Sequence, residues 1–395
     1  MSQTEVFVVG AARTAIGSFG GSLKDQPLAS IATTAIKAAL ERAGVAPDAV
    51  GHVVMGNVIP TEPRDAYLSR VATIEAGIPK ETPAFNVNRL CGSGLQAVVS
   101  AAQTILLGDA EVAIGAGAES MSRGAYLMPA GRWGARLGDA QMLDFVTGAL
   151  HDPFQNIHMG ITAENVAERY GITRQMQDEL AVESQQRAAR AIAEGRFTSQ
   201  IVPVEIKTRK GMVRFDTDEN VRGDTTVESL AKLKPVFKRD GGLVTAGNAS
   251  SLNDGAAAVV LASGARAKAL GLKPLARLVA YAHAGVDPAY MGIGPVPATK
   301  LVLQRAGLKV KDLDVIEANE AFAAQACAVA RELDFDPAKV NPNGSGISLG
   351  HPVGATGAII ATKAVHELHR VNGRYALVTM CIGGGQGIAA IFERA

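Results

Sequence analysis

The chain has 395 residues, 47% apolar and 5% aromatic, which is too long for a single core and too apolar for a disordered or fibrous protein. Its 39 basic and 38 acidic residues leave a formal net charge of +1, which argues against nucleic-acid or membrane-surface binding by bulk charge. No apolar run reads as long enough to span a bilayer, and the opening MSQTEVFVVGAARTA lacks a basic start and a long apolar core, so the expectation is a cytoplasmic protein without a secretion signal.

In chain order, VFVVGAA reads as a strand. A helical pattern then ends in LERAGV (Leu40 to Val45), with Gly44 at its C-terminal position, and leads to the strand HVVMGN, which ends in Asn57. Next comes NRLCGSGLQA, Asn88 to Ala97, which sets Cys91 directly before a small-residue turn opening an apolar, helix-like run through Leu107. Unpaired N–H groups and the positive end of the macrodipole at such a helix start lower a thiol pKa. Glycine or serine at the next three positions lets a substrate carbonyl approach the backbone. The plain alternative is a buried structural cysteine at a tight turn. The strand EVAIGAGAE follows. A long excursion then runs from about Ser120 to about Asn253, with a polar helix-like stretch (Arg174 to Glu194) and a basic segment (Lys207 to Arg239), before the strand GAAAVVLAS from Gly255.

The second half repeats this order. LARLVAYA begins at Leu275, a helix ends in LQRAGL (Leu303 to Leu308), and the strand DVIEAN ends in Asn319. GHPVGATG places His351 near the position of Cys91, and a helical pattern to Arg370 leads to RYALVTMC. Only GGGQ then separates this strand from GIAAIFERA. The simplest architecture is α/β: two halves, each with helices on a mostly parallel sheet, and one large excursion from the first.

Matching loops at strand ends would bring Cys91, Asn319, His351 and Cys381 to one side of the molecule. His351, in a glycine-rich turn, is a base toward a thiol, an oxyanion donor, or a satisfied turn histidine. Cys381 is a core cysteine or a reactive one, and the following Gly383, Gly384 and Gly385 allow close approach and offer N–H groups to an anion. Asn319, beside Glu320, orients a water or a carbonyl, or N-caps the next helix. In HMGITAEN a cap by Thr162 explains part of the stretch, and His158 reads equally as a surface residue. The basic segment is read first as a solvated face. The three cysteines, Cys91, Cys327 and Cys381, are widely spaced and read as reduced thiols with neither disulfide nor zinc spacing. Two thiols and a histidine on glycine-rich loops suit covalent acyl chemistry: one sulfur attacks, the imidazole activates it, the second thiol moves a proton.

NRLCGSG, HMGITAEN, TAGNAS, NEAFAAQ, GHPVGATG and CIGGGQG, in this order over essentially the whole chain, resemble the thiolase family of acetyl-CoA acetyltransferases and 3-ketoacyl-CoA thiolases. The overall sequence is most similar to bacterial broad-specificity β-ketothiolases that supply polyhydroxyalkanoate precursors. The resemblance implies duplicated α/β/α halves with mixed five-stranded sheets and an inserted loop domain: residues 1–120 with 252–273, the CoA-binding insertion 121–251, and 274–395. It implies reversible Claisen condensation of two acyl-CoA molecules, with Cys91 as the acyl-carrying nucleophile. His351 would activate Cys91 and form one oxyanion hole with a water held on Asn319, and Cys381 would be the acid/base at the α-carbon. The N–H groups of Cys91 and Gly383 would form a second hole. Positions matching the family's CoA contacts are Leu150, His158, Arg222, Ser229, Phe237, Ala246, Ser250, Met291 and Phe322. Coenzyme A and acyl-CoA are then substrates, with no metal and no prosthetic group, no nucleic acid and no membrane partner. A homodimer or homotetramer is implied, with Tyr126 to Gly138 as a tetramer contact. The chain departs from many thiolases at Gly344-Ser345-Gly346-Ile347-Ser348, where Gly-Gly-Ala-Ile-Ala is common, and this bears on loop shape and acyl specificity. The rivals are a degradative thiolase of fatty-acid oxidation, a decarboxylating ketoacyl synthase, which the second thiol disfavours, and a non-catalytic acyl-CoA binder. A dinucleotide site at GSGISLG has the wrong final spacing for GxGxxG.

Overall fold

The computed structural model describes residues 4–209 and 211–395. Nine strands form its spine: β1 (Val6–Thr14), β2 (His52–Gly56), β3 (Ala84–Val87), β4 (Val112–Ser120), β5 (Asn253–Ser263), β6 (Ala276–Gly285), β7 (Val315–Ala318), β8 (Tyr375–Ile382) and β9 (Gln386–Arg394). They lie in the order β7-β8-β9-β6-β1-β5-β4-β2-β3. Within the sheet the two halves meet where Phe7 and Val8 of β1 pair with Arg277 and Ala276 of β6, which divides it into two wings. Val340, bridged to Ile316, stands in the fifth place of the second wing.

Pairing is mixed, as the resemblance implies, and this corrects the mostly parallel sheets read from the order of elements. β2 runs parallel to β3 and β4, and β7 to β8, but β5 is antiparallel to β1 and β4, and β9 to β6 and β8. The short GGGQ connection forces the antiparallel pairing of β8 and β9, because a tight turn can join only antiparallel neighbours.

The principal helices are α1 (Leu28–Ala43), α2 (Ser93–Leu107), α3 (Met159–Tyr170), α4 (Arg174–Ala193), α5 (Val227–Ala231), α6 (Pro295–Ala306), α7 (Ala323–Glu332), α8 (Gly346–Leu349) and α9 (Thr356–Arg370). The repeated LERAGV and LQRAGL end α1 and α6 in the same way. Gly44 (φ 64°) and Gly307 (φ 67°) adopt the left-handed conformation and return their N–H groups to helix carbonyls.

α2 and α9 share one apolar core with side chains from both wings, among them Val8, Val54, Val259, Val315 and Val378. α1 covers the other face of the first wing, and α3, α6 and α7 cover the other face of the second. β5 is buried throughout, so its alternating side chains serve two cores: Ala256, Ala258 and Val260 face α1, while Val259 and Leu261 face α2. The segment Leu90–Leu107 corrects a second expectation, since its 18 residues are long and apolar enough to cross a membrane. Here it is the central helix, whose Leu95, Val98, Val99, Ala102 and Ile105 are buried in the shared core while Leu106 and Leu107 at its end are exposed.

The starts of α2 and α9 meet closely. A Cβ on Gly94 would lie 2.6 Å from the Ala358 nitrogen, and one on Gly357 only 2.2 Å from the Leu95 nitrogen. Any side chain at either position would drive apart the two helix N-termini that follow Cys91 and His351.

The segment after Ser120 holds α3, α4 and α5. α4 matches the polar stretch read from sequence, with Thr173 Oγ1 accepting from Met176 N–H at its start. α3 packs on α7, and α4 on α7 and α8. A buried bidentate pair, Arg13 with Asp218 at 2.7 and 2.9 Å, ties β1 to this segment.

Candidate active site

Cys91 is reached through Leu90, whose φ of 46° is a rare conformation for a branched side chain and turns the backbone sharply into α2. The N–H groups of Gly383 and of Cys91 itself point at the Cys91 sulfur. The thiol is nonetheless pushed up to about 11: burial raises it, these N–H groups lower it, and Glu119 raises it further. The expected depression at a helix start is therefore overturned, because desolvation of a thiolate outweighs the N–H groups and the dipole. The glycines after Cys91 also answer a packing need within the protein. A Cβ on Gly92 would meet Ile382 Cδ1 at 2.5 Å, so small residues are required here by packing of the protein on itself.

Cys381 is fully buried on β8, paired across from Gly387. Burial pushes its thiol far above the ordinary range, and the neighbouring Cys91 pushes it further. The two sulfurs are thus close enough to feel one another, although 290 positions of sequence separate them on the printed chain. His351 is buried and lowered to about 4 by loss of solvent, so the ring is neutral at pH 7. Asn253 Oδ1 accepts from the His351 backbone N–H at 2.8 Å, and Thr356 Oγ1 lies 2.6 Å from Nδ1. Asn319 Nδ2 is 3.4 Å from His351 Nε2, and Asn319 Oδ1 is buried without a protein partner. Asn319 is not an N-cap, since that position of α7 belongs to Phe322.

Cys91 and His351 open onto a cleft of about 330 Å³ with a mainly apolar lining. Of the nine positions carried over for CoA, Leu150, His158, Phe237, Ser250, Met291 and Phe322 line it, and Arg222, Ser229 and Ala246 do not. These three are exposed; Ser229, in α5, spends its hydroxyl on the Thr226 carbonyl. His158 is more than a surface residue. Its Nδ1 accepts from Gly160 N–H as the N-cap of α3, its ring stacks on Phe237 at 4.5 Å, and burial lowers it to about 4. Thr162 does not cap; its hydroxyl donates to the Met159 carbonyl. Of the basic segment, Lys210 lies outside the described residues.

The serines of the departing loop turn away from the cleft: Ser348 Oγ meets Ser184 Oγ at 2.8 Å, and Ser345 donates to the Ala318 carbonyl. Sequence reasoning missed Glu119. It stands one residue before the end of β4, fully buried, and accepts from Asn57 Nδ2 and from the N–H groups of Val58, Ile59 and Gly354. Burial raises its carboxyl to about 8, and the N–H groups of Ile59, Gly354 and Val58 pull it back. The Asp65 charge raises it further, so the four donors only partly offset burial. Through these bonds Glu119 ties the loop after β2 in the first half to the His351 loop in the second. A carboxylate closing an otherwise apolar strand, AIGAGAE, was the available signal. Among the described residues no group of three or more His, Cys, Asp or Glu side chains is gathered to hold a metal.

The N-terminal domain of thiolase matches residues 6–265, and its C-terminal domain matches residues 272–394. Beta-ketothiolase BktB of Cupriavidus necator is 69% identical over 390 residues, covering 99% of each chain. The acetyl-CoA acetyltransferase of Pseudomonas aeruginosa is 52% identical over 392 residues, again covering 99% of each. Human mitochondrial 3-ketoacyl-CoA thiolase in complex with CoA superposes with a TM-score of 0.96 at 46% identity, over 100% of this chain and 98% of that one.

Proposed function

The chain belongs to the thiolase family, and from that membership we infer that its cleft receives acyl-CoA thioesters and that Cys91, His351 and Cys381 act on them. It is an acyl-CoA C-acyltransferase, catalysing the reversible Claisen condensation of two acyl-CoA molecules to 3-ketoacyl-CoA and CoA. The observation that carries the assignment of residues is the Cys91 sulfur, held under the Gly383 N–H, beside Cys381, at a cleft it shares with a neutral His351.

In this reading the imidazole takes the Cys91 proton as the sulfur attacks the acyl carbonyl, and returns it to the departing CoA sulfur. Cys91 then holds the acyl group as a thioester. A second acyl-CoA enters, and Cys381, its own thiol proton passed to the bare Nε2 of His351, removes the α-proton; the enolate carbon attacks the Cys91 thioester, whose carbon–sulfur bond breaks to leave a Cys91 thiolate that takes the proton back from His351. The N–H groups of Cys91 and Gly383 face the oxyanion of the acyl-enzyme, while His351 Nε2, when protonated, and a water that donates one hydrogen to Asn319 Oδ1 donate to that of the CoA thioester. Loss of one such donor costs about 10²–10³ in rate. The apolar lining, with His158 on Phe237, suits a pantetheine arm.

The test is mass spectrometry after incubation with acetyl-CoA. An acetyl group is expected on Cys91; an adduct on Cys381 reverses the roles. Cys381→Ala should still acetylate Cys91 yet fail to condense, and retained exchange of acetyl-CoA α-protons with deuterated water would show another base at work.

We further assign the chain to the β-ketothiolases, which its 69% identity to a beta-ketothiolase supports, and propose for it broad acyl specificity and a biosynthetic, polyhydroxyalkanoate-supplying role in the cytoplasm. Thiolysis rates on 3-ketoacyl-CoAs of increasing length test this; a preference for long chains would favour fatty-acid degradation. The run Tyr126 to Gly138 carries Trp133 at 80% and Leu137 at 98% exposure, which supports a contact in a tetramer, and light scattering measures that state.

A further inference from the structure

We propose that Thr356 is a positioning residue that fixes which nitrogen of His351 carries the proton. Thr356 Oγ1 lies 2.6 Å from His351 Nδ1 and 2.9 Å from the Pro352 carbonyl oxygen. A hydroxyl has one proton and can also accept, whereas a carbonyl can only accept. Thr33, Thr73 and Thr362, all in helices here, donate to the carbonyl four residues back, and Thr356 stands in the same relation to Pro352. With its proton used there, Oγ1 is left to accept, so Nδ1 must carry the hydrogen. Asn319 Nδ2 lies 3.5 Å from Nδ1 and 3.4 Å from Nε2 and so does not choose between the tautomers, which leaves the choice to the shorter Thr356 contact. The Nδ1–H form leaves the Nε2 lone pair free.

The ring has little freedom to escape this choice. Thr356 and His351 are both buried, and Asn253 holds the His351 backbone from the other side. Burial also keeps the ring neutral, which matters because only a neutral imidazole has a tautomer to select. The consequence for the reaction rests on His351 being the proton partner of Cys91. The thiol proton passes to Nε2 as the sulfur attacks, the ring carries both hydrogens while Oγ1 still accepts from Nδ1, and Nε2 gives its proton to the leaving sulfur. Without the hydroxyl, a ring protonated at Nε2 has no lone pair for the thiol.

The test uses the full-length protein labelled with ¹⁵N-histidine, its ring signals assigned with His351→Asn. Nuclear magnetic resonance of the wild type should show Nδ1 protonated and Nε2 bare. Thr356→Val should move the ring toward the other tautomer and slow single-turnover acetylation of Cys91 by roughly 10- to 100-fold, with KM for acetyl-CoA little changed. Thr356→Ser should restore both the spectrum and most of the rate, which loss of packing alone would not. A protonated Nε2 in the wild type overturns the proposal, and so does a Thr356→Val protein with unchanged tautomer and rate. If Thr356→Val does not fold, the wild-type spectrum and the serine variant still decide the matter. A His351→Asn protein that acetylates Cys91 at the wild-type rate would instead overturn the reading of the site, whatever tautomer is found.

Discussion

At Cys91 burial and backbone N–H groups pull in opposite directions, and the result, about 11, keeps the thiol protonated at pH 7. His351, lowered to about 4, is a bare base at the same pH. A neutral thiol beside a neutral imidazole means that the proton moves during attack, and no thiolate waits in advance. The sign of the histidine shift then sets the pH dependence. A lowered pKa keeps the ring unprotonated well below its ordinary 6.5, so acetylation of Cys91 should persist below that value and fade only as pH falls through about 4. Rapid-quench measurement of acetyl-Cys91 against pH checks this; an acid limb centred near 6.5 would mean that the ring is solvated. The residue types were legible from sequence, but the direction of the Cys91 shift was not, because proximity to a helix start can be read locally and desolvation cannot.

Among the elements, α2 and α9 decide the geometry of the site. Their first turns touch at Gly94 and Gly357, which places the residues just ahead of them, Cys91 and His351, on one cleft. Replacing Gly357 with alanine puts a methyl group 2.2 Å from the Leu95 nitrogen, and backbone cannot yield as a flexible side chain would. We expect Gly357→Ala to cost about 1–3 kcal/mol by urea denaturation and to lower acetylation of Cys91 at saturating acetyl-CoA. Full activity in that variant would show that the helices separate without disturbing the site. The helix ends at Gly44 and Gly307 were readable because capping is local. The antiparallel β5 escaped the same reading, since its partners β1 and β4 are remote in sequence and strand direction leaves no local mark.

Over the whole molecule, the long excursion is held to the duplicated frame by buried charge as well as by apolar packing. Arg13 and Asp218 are both fully buried, with Gln200 accepting from Arg13 Nε and the Ile16 N–H donating to Asp218. Removing one partner strands the other without water. Asp218→Asn should therefore destabilise the protein by about 3–5 kcal/mol in urea, while the paired replacement Arg13→Met with Asp218→Leu should cost less than either single change. Equal losses in all three variants would indicate that packing, and not charge, binds the segment. If the excursion forms the cleft wall, Asp218→Asn should also raise KM for acyl-CoA more than it lowers kcat, which steady-state thiolysis measures.

The amino-acid sequence by itself determined the duplicated order of strands and helices, the helix ends, and the reactive types Cys91, Asn319, His351 and Cys381, because periodicity, capping and turn chemistry act between near neighbours. Only the tertiary structure decided that the Cys91 thiol is raised, that His158 stacks on Phe237, that Glu119 ties the two halves together, and that Arg222, Ser229 and Ala246 stand outside the cleft. Each of these depends on what surrounds a group in space. Desolvation and long-range hydrogen bonds are set by residues remote in sequence, 60 positions away for Ile59 and 235 for Gly354 around Glu119, which no local pattern encodes.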